Sequence, residues 1–321
     1  MSLSHPKDNS ETPADSVVGL PLRHIGVVGL GHMGDAFAAN LIADGYQVSV
    51  FDRNAKHAAL LIAAGASGSS GLAGFANCEA VLTSLPDDNA LEDVTLSPGG
   101  LVHVLAKGAI HISMSTISPG LSRRMAQQHQ AAGQGYVAAP VLGNPDLAHA
   151  RKLFVIAAGA PPALAKVKPV LERLGQRLFV LGDDAGAANL MKLGGNVLTA
   201  LTLESMGEVL ALLQKGGIDA HAAFKVLTGS LFDGKVNKTY GGKIVDSRYS
   251  PPSMTAPLAV KDLRLALAEA EHLDVPMPAA SLVHDRLVAI IARGWADLDW
   301  SALGLLAAAD AGLAPAGRTR R

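Results

Sequence analysis

Cysteine is almost absent from this sequence: Cys78 is the only one in 321 residues. A lone cysteine excludes an intramolecular disulfide and any zinc site built on several cysteines. An excess of either charge is also missing, because the formal net charge at pH 7 is only −1. Such a chain has no overall attraction to nucleic acid or to an anionic membrane, so neither partner is expected. A cytoplasmic location fits these absences.

Long apolar runs are lacking as well. No segment offers 18 uninterrupted apolar residues, so no transmembrane helix is expected. Residues 1–21 combine charged side chains with three prolines and have no apolar stretch of the signal-peptide type, which predicts a disordered tail. The eleven histidines show no metal-ligand spacing, so no metal ion is expected.

What is present is enough apolar sequence for two domains. Hydrophobic residues make up 49% and charged residues 17%, a balance typical of a well-buried globular chain. Because 321 residues exceed one compact core of typical size, two domains are expected. From Leu22 to Leu181, runs typical of strands alternate with runs typical of helices, which predicts parallel strands joined by right-handed crossovers.

The predicted fold class is α/β. A Rossmann doubly wound sheet is predicted over residues 22–184, and an all-α domain over residues 185–321, joined by a long interdomain helix over Ala185–Lys215. The predicted strands are His24–Gly29, Gln47–Phe51, Ala80–Ser84, Ala109–Ser113, Tyr136–Ala138, Phe154–Ala158 and Gln176–Leu181. The other predicted helices are Asp35–Ala43, Pro119–Gln134, Pro161–Leu174, Ala220–Leu227, Ala256–Leu273, Ser281–Ala292 and Ser301–Ala309.

A glycine-rich turn follows the first predicted strand and reads Gly29-Leu30-Gly31-His32-Met33-Gly34. The first glycine permits a tight turn, the second lets the backbone approach a pyrophosphate, and the third lets helix and strand pack closely. The pyrophosphate then meets free N–H groups at a helix start. An ordinary glycine loop is the alternative, but the second strand ending at Asp52 favours a dinucleotide site.

The residues Asp52, Arg53 and Asn54 bear on the choice of cofactor. A carboxylate at the end of the second strand accepts from a ribose 2′-OH and repels a 2′-phosphate, which favours NAD. Arg53 offers the opposite chemistry, because a guanidinium group holds a 2′-phosphate or stacks on adenine. NAD is slightly favoured, and NADP is the alternative.

Asn189, Lys192 and Asn196 share one face of the predicted long helix, because they are spaced by three and four residues. The neighbouring residues are apolar, and desolvation would lower the pKa of Lys192 toward the range of a proton donor. The alternative is a lysine that runs along the helix side to water. Gly194-Gly195 cost about 1 kcal/mol each in a helix, which indicates close approach of a ligand or another backbone.

Four motifs occur in order along the chain: GLGHMG at Gly29–Gly34, MSTISP followed by APVLGNPDLAHARKL within Met114–Leu153, NLMKLGGN at Asn189–Asn196, and VKDLRLA at Val260–Ala266. In these motifs the chain resembles the β-hydroxyacid dehydrogenase superfamily. That group holds 3-hydroxyisobutyrate dehydrogenases, tartronate semialdehyde reductases and glyoxylate/succinic semialdehyde reductases. The resemblance covers Leu22 to about Ala292. It implies NAD(P)-dependent hydride transfer between nicotinamide and a hydroxy acid or its semialdehyde.

The resemblance implies a role for each matching position. Lys192 matches a catalytic lysine that exchanges a proton with the substrate oxygen, and Asn196 matches a residue that orients the substrate and the lysine. The other implied positions are Leu85, Pro86 and Thr116 around the cofactor, Lys261 closing the cofactor cleft from the helical domain, and Ser115 with the substrate.

One departure from the family pattern concerns the substrate loop. The family usually has Ser-Gly-Gly where this chain has Leu142-Gly143-Asn144, so an apolar group replaces a hydroxyl that would hold a substrate carboxylate. Asn144 is a candidate substitute donor. Because buried polar groups must find partners, the change favours a bulkier or less polar substrate. Phe232 is interpreted either as an apolar wall of the site or as core packing.

Two other functions stay open at this point. Imine reductases resemble the same family but usually carry aspartate or tyrosine in place of Lys192, so the lysine disfavours them while Leu142 allows them. A non-catalytic NAD(P)-binding protein is the third hypothesis, which the presence of Lys192 disfavours. The resemblance also implies that the long helix packs across a partner subunit, which predicts a homodimer or homotetramer.

Overall fold

The computed structural model describes residues 22–313, so the predicted disordered tail over residues 1–21 lies outside the described part. The strands, in chain order, are β1 (His24–Val28), β2 (Gln47–Phe51), β3 (Ser67–Gly68), β4 (Ala80–Thr83), β5 (Ile110–Ser113), β6 (Gly135–Ala138), β7 (Val141–Leu142), β8 (Leu153–Gly159) and β9 (Gly175–Val180). Within residues 22–184 the helices are α1 (His32–Ala43), α2 (Ala59–Ala63), α3 (Asp88–Leu96), α4 (Leu101–Val104), α5 (Pro119–Ala131), α6 (Pro145–His149) and α7 (Pro161–Leu174).

These strands form one sheet in the order β3-β2-β1-β4-β5-β6-β8-β7, with β9 paired to β8. The chain reverses its strand order between β1 and β4, the crevice where doubly wound sheets bind dinucleotides. The prediction of parallel strands is correct for β1 to β6 and for β9 on β8. It is wrong for β8, which runs antiparallel to β6 and β7. The connection from β7 to β8 holds only the five-residue helix α6, which is too short for a parallel crossover.

Hydrophobic burial explains the central strands. Residues Ile25 to Val28 are all buried, as expected for parallel strands covered by helices on both faces. On one face α1 and α7 pack through Phe37, Leu41 and Val167 into a continuous core. Helix α5 ends at Ala131, three residues before the predicted end, because Gly133 adopts a φ of 72° and stops the helix.

Helix α8 (Ala185–Lys215) has the predicted bounds and connects the two halves of the chain. Asp184 caps its start through a hydrogen bond from the Gly186 N–H, and Gly216 ends it. Within residues 22–313, only α8 is long and apolar enough to cross a membrane, and 50% of its most apolar window is buried inside protein. A core helix of a two-domain protein has these properties too.

The C-terminal part described is helical. Its helices after α8 are α9 (Ala220–Thr228), α10 (Lys235–Val245), α11 (Ala256–His272), α12 (Pro278–Ala292) and α13 (Leu303–Asp310). They surround α8 and bury a second core around Leu203, Leu263 and Leu287. The sequence patterns missed α10, whose Gly241-Gly242 pair disfavours a helix. The structure explains the first glycine, because a Cβ on Gly241 would lie 2.7 Å from the Phe224 ring of α9.

Candidate active site

The glycine-rich turn between β1 and α1 has the shape of a pyrophosphate cradle. A Cβ on Gly29, whose φ is +86°, would lie 2.4 Å from the Ser84 carbonyl oxygen, and one on Gly34 would lie 1.8 Å from the Gly29 carbonyl oxygen. Gly31 faces open space and begins α1 with no side chain on the free N–H groups. Of the remaining turn residues, Leu30 is buried and His32 is exposed, whereas Met33 packs on the core.

Asp52, at the end of β2, turns its carboxylate toward this turn. Its two oxygens accept hydrogen bonds from the Leu30 N–H and the Asn54 N–H, each at 2.7 Å, and His57 Nδ1 lies 3.3 Å away. Burial by itself would raise the pKa of Asp52, but these three donors hold it below its usual value. The carboxylate therefore stiffens the dinucleotide turn, while Arg53 stays exposed beside it.

The loops that follow β4 and β5 meet at the same edge of the sheet. Ser115 is buried, and its Oγ accepts a hydrogen bond from the Leu85 N–H at 2.9 Å. Thr116 is half-buried, and its carbonyl oxygen accepts from Lys261 Nζ of α11 at 2.6 Å. Pro86 is exposed next to Leu85. The structure thus brings the predicted cofactor residues Leu85, Pro86 and Thr116 next to Ser115, which was predicted to lie with the substrate, and Lys261 reaches Thr116 from the helical domain.

Lys192 is half-buried on α8 and is tied into a row of polar side chains. Its Nζ donates to Asn196 Oδ1 at 3.0 Å, and Asn196 Nδ2 donates to Asp262 Oδ2 at 2.5 Å. The other oxygen of Asp262 lies 2.9 Å from Lys261 Nζ. Because the buried carboxylate can only accept from Asn196, it fixes the amide so that its oxygen faces Lys192. Asn189 points away from this row and contacts the loop after β5 instead.

Removal from water sets the protonation of Lys192. Desolvation lowers the pKa of Lys192 to about 8, Asp262 opposes that change, and the positive charge of Lys261 adds to it. An amine with this pKa exchanges protons readily near neutral pH. Lys192 thus has the chemistry of a general acid/base.

Asp262 was not singled out from the sequence, although it directly follows Lys261 in the VKDLRLA motif. An acid beside a candidate lysine was the available signal. Its partner Asn196 is 66 residues away along the chain, so the contact itself has no local pattern.

The predicted substrate loop, Leu142 to Asn144, lies against α8 and leads into α6. Leu142 packs on α8: a Cβ added at Gly195 would lie 2.8 Å from Leu142 Cδ2. Close packing therefore explains Gly195, whereas Gly194 has nothing within 4 Å of an added Cβ. Asn144 Oδ1 accepts from the Leu147 N–H at 3.0 Å and caps α6. This cap does not use Nδ2, the atom that would donate to a substrate. Gly143 between them is exposed, with a φ of 144°.

Phe232 lies in the loop between α9 and α10 and is 53% exposed, so its side chain does not pack in the described core. The carbonyl oxygen of Phe232 accepts from Asn237 Nδ2 at 3.0 Å, which ties the loop to the start of α10. Its interpretation as an apolar wall of the site stays a prediction.

No group of three or more His, Cys, Asp and Glu among residues 22–313 is arranged to hold a metal ion. The dinucleotide turn, the Ser115–Thr116 loop and the Lys192–Asn196–Asp262 row together define a nicotinamide-dependent oxidoreductase with a lysine in the cleft. NAD(P) would be held by the turn, by the end of β2, and by Leu85, Thr116 and Lys261.

Comparisons with known proteins agree with this class. The family described as the NAD-binding domain of 6-phosphogluconate dehydrogenase matches residues 24–182. The NAD-binding family of NADP-dependent 3-hydroxyisobutyrate dehydrogenase matches residues 186–306. The chain belongs to the β-hydroxyacid dehydrogenase superfamily and is an NAD(P)-dependent oxidoreductase.

Individual relatives cover nearly the whole chain. An uncharacterised oxidoreductase of Bacillus subtilis, YfjR, is 35% identical over 87% of this chain and 98% of its own length. The 3-hydroxyisobutyrate dehydrogenase of Pseudomonas aeruginosa is 31% identical over 81% of this chain and 90% of its own.

Solved structures share the fold. The 3-hydroxyisobutyrate dehydrogenase of Salmonella typhimurium superimposes with a TM-score of 0.81 at 26% identity, over 88% of this chain and 99% of that one. An imine reductase from a Pseudomonas species is more distant, with a TM-score of 0.59 at 22% identity over 89% and 99%, and shows a common fold only.

Proposed function

We propose that the protein interconverts a small hydroxy acid and its aldehyde or ketone, with Lys192 as the general acid/base. The observation that carries this proposal is the half-buried Lys192, hydrogen-bonded to Asn196 and with its pKa lowered to about 8, in a cleft that also holds a dinucleotide turn. The likeness to 3-hydroxyisobutyrate dehydrogenases supports the substrate class.

The bound cofactor supplies the hydride. Lys192 as ammonium donates a proton to the substrate carbonyl oxygen, which becomes the hydroxyl, and the neutral amine takes that proton back in the reverse direction. Asn196 holds the amine in place, and Asp262 keeps the amide of Asn196 in the required orientation. This chemistry does not require a metal ion, because a hydride donor and a positioned proton donor together supply what carbonyl reduction needs.

The test is a panel of substrates followed at the nicotinamide absorbance, with 3-hydroxyisobutyrate, glyoxylate, succinic semialdehyde and a cyclic imine. Lys192→Ala is expected to lose most of kcat while binding the cofactor with unchanged affinity. Full turnover by that variant would refute the role of Lys192. Turnover of the imine alone would favour an imine reductase, for which the apolar Leu142 is the supporting observation. Cofactor binding with no turnover at all would favour a non-catalytic protein.

We also propose that the substrate carries an apolar substituent where relatives recognise a carboxylate. Leu142 lies against Gly195, three residues after Lys192 on α8. Leu142 pairs with Phe154 of β8, so two apolar side chains share one face of this antiparallel pair.

The preference between NAD and NADP rests on two neighbouring residues. Asp52 favours NAD through its charge, although both of its oxygens already accept backbone hydrogen bonds. Arg53 is exposed and has the chemistry to hold a 2′-phosphate. We propose NAD as the slightly favoured cofactor. Cofactor titration of Asp52→Ala tests this, because unchanged NAD affinity would exclude a role for the carboxylate.

We propose that two copies of the chain pack through α8. An exposed stripe runs along this helix with spacings of three, four and seven residues. It holds the apolar residues Met191, Leu198, Val209 and Leu212 together with Gly194 and Ser205. Leu198 is 66% exposed and Leu212 is 71% exposed. Apolar side chains at this spacing are typical of a helix that packs on a partner helix, which supports a homodimer or homotetramer.

A further inference from the structure

The loop Ser115–Ser118, between β5 and α5, is held at both ends by the Rossmann domain. At one end, Ser115 Oγ accepts from the Leu85 N–H at 2.9 Å. At the other end, Ser118 donates to Asp88 twice, from its backbone N–H at 3.0 Å and from its hydroxyl at 2.6 Å. The ends of the loop are therefore fixed relative to the loop that follows β4.

The middle of this loop has two contacts from the helical part of the chain. Lys261 of α11 donates to the Thr116 carbonyl oxygen, and Asn189 of α8 contacts the next residue, Ile117. Asn189 Oδ1 accepts from the Ile117 N–H at 3.3 Å, and Asn189 Nδ2 donates to Ser122 Oγ at 3.2 Å. The Ser122 hydroxyl in turn donates to the Ala185 carbonyl oxygen at 3.2 Å. Asn189 is fully buried, so water cannot replace these bonds. Since a backbone N–H can only donate, the amide orientation of Asn189 is fixed.

The position of Asn189 links two parts of the reaction. Ile117 directly follows Thr116, whose carbonyl oxygen receives Lys261. On α8, Asn189 precedes Lys192 by three residues, about one helical turn or ~5 Å along the axis. One helix thus carries an anchor for the cofactor loop on one turn and the proton donor on the next.

We propose that Asn189 is a positioning residue that sets the separation between the cofactor loop, at Thr116, and Lys192. The proposal rests on the proposed function of Lys192. A change of about 1 Å in such a separation costs on the order of a hundredfold in rate. Without Asn189, the middle of the loop keeps only the bond from Lys261 and loses the one from α8, while Lys192 stays where it is.

The experiment compares Asn189→Ala with Ser122→Ala in the full-length protein. Ser122→Ala keeps the bond from Ile117 to Asn189 and serves as the matched control. Asn189→Ala is expected to lower kcat by about tenfold to a hundredfold, while KM for the cofactor is unchanged. The kinetic isotope effect on kcat, measured with deuterated cofactor, is expected to be larger than in wild type. Hydrogen exchange of a peptide over residues 113–121, without cofactor, is expected to speed up in Asn189→Ala and to change little in Ser122→Ala.

A lower melting temperature in Asn189→Ala with unchanged kcat and unchanged loop exchange would overturn the proposal, because the role would then be structural. Equal changes of kcat and of loop exchange in Asn189→Ala and Ser122→Ala would also overturn the proposal. If Asn189→Ala does not fold, Asn189→Asp replaces it, since a carboxylate still accepts from Ile117. Loop exchange and kcat should then stay near wild type, and a fast-exchanging loop with normal kcat would contradict the proposal. The exchange measurement needs no substrate, so it remains decisive if the proposed function fails.

Discussion

Asn196 and Asp262 are joined by a 2.5 Å hydrogen bond from the Asn196 amide to a buried carboxylate oxygen, across the interface of α8 and α11. The contact turns the amide oxygen of Asn196 toward Lys192. It also places one negative charge between two lysines, because Lys261 lies 2.9 Å from the other oxygen of Asp262. Asp262 therefore controls both the orientation and the protonation of the proposed proton donor.

The first prediction concerns pH dependence. Carbonyl reduction needs Lys192 as ammonium, so kcat/KM is expected to fall as pH rises through the pKa of about 8. Asp262 opposes the lowering of that pKa, so Asp262→Asn should move the fall to lower pH by on the order of one unit. Measuring kcat/KM from pH 6 to pH 10 in wild type and Asp262→Asn gives the pH at which it falls in each. Glu269→Gln, on the same helix but paired with Arg123, is the control and should leave the profile in place. An unshifted profile in Asp262→Asn would exclude the electrostatic role.

The second prediction concerns substrate choice. Leu142→Ser replaces an apolar side chain by a hydroxyl beside Gly195. We expect kcat/KM to rise for substrates with a carboxylate and to fall for substrates with an apolar substituent. The ratio of the first kcat/KM to the second should increase by about tenfold to a hundredfold. Leu147→Ser changes a leucine in the nearby helix α6 and is the control. The same ratio in Leu142→Ser and wild type would show that Leu142 does not discriminate between these substrates.

The third prediction concerns stability at acid pH. His111 Nδ1 and His129 Nε2 are 2.8 Å apart and fully buried, and His129 Nδ1 lies 2.7 Å from Gln134 Oε1. Gln134 Nε2 donates to the Leu105 carbonyl oxygen, so its own oxygen must accept from His129. His129 therefore donates through Nδ1. With both rings neutral, His111 also donates through Nδ1, to His129 Nε2, and Thr83 donates to His111 Nε2 at 2.9 Å.

Burial lowers the pKa of His129 to about 4 and that of His111 well below its usual value. Between pH 4 and pH 6.5 the unfolded chain then binds more protons, so stability is full above pH 6.5 and is lost as pH falls toward 4. His129 alone accounts for about 3 kcal/mol. Urea unfolding at pH 7, 6 and 5 measures the loss, which should be smaller in His129→Gln. Equal pH dependence in that variant and wild type would contradict the assignment.

The fourth prediction concerns assembly. Leu198→Glu and Leu212→Glu place charges in the exposed stripe of α8, and burying them against a partner is costly. Light scattering at micromolar concentration should show a dimer or tetramer for wild type and a monomer for the double variant. Leu60→Glu, at an 80% exposed position of α2, should keep the wild-type mass. A monomeric wild-type protein would refute the assembly through α8.

The sequence by itself determined the features that depend on local geometry. Glycines at Gly29 and Gly34 are required by contacts with nearby backbone, and their spacing is visible in the sequence. The period of the helix placed Lys192 and Asn196 on one face, and capping by Asp184 and Gly216 set the bounds of α8. These signals need only neighbours along the chain.

The tertiary structure decided what depends on residues far apart. The packing of α11 on α8 brings Asp262 to Asn196, a contact that no spacing in the sequence encodes. The desolvation that lowers the pKa of Lys192 was predicted from its apolar neighbours, whereas the opposing charge of Asp262 was not. The return of β8 as an antiparallel strand brings Leu142 against Gly195. Long-range contacts arise only when helices and sheet pack. For that reason the glycine turn and the desolvation of Lys192 could be predicted from the sequence, while the carboxylate of Asp262 beside Asn196 could not.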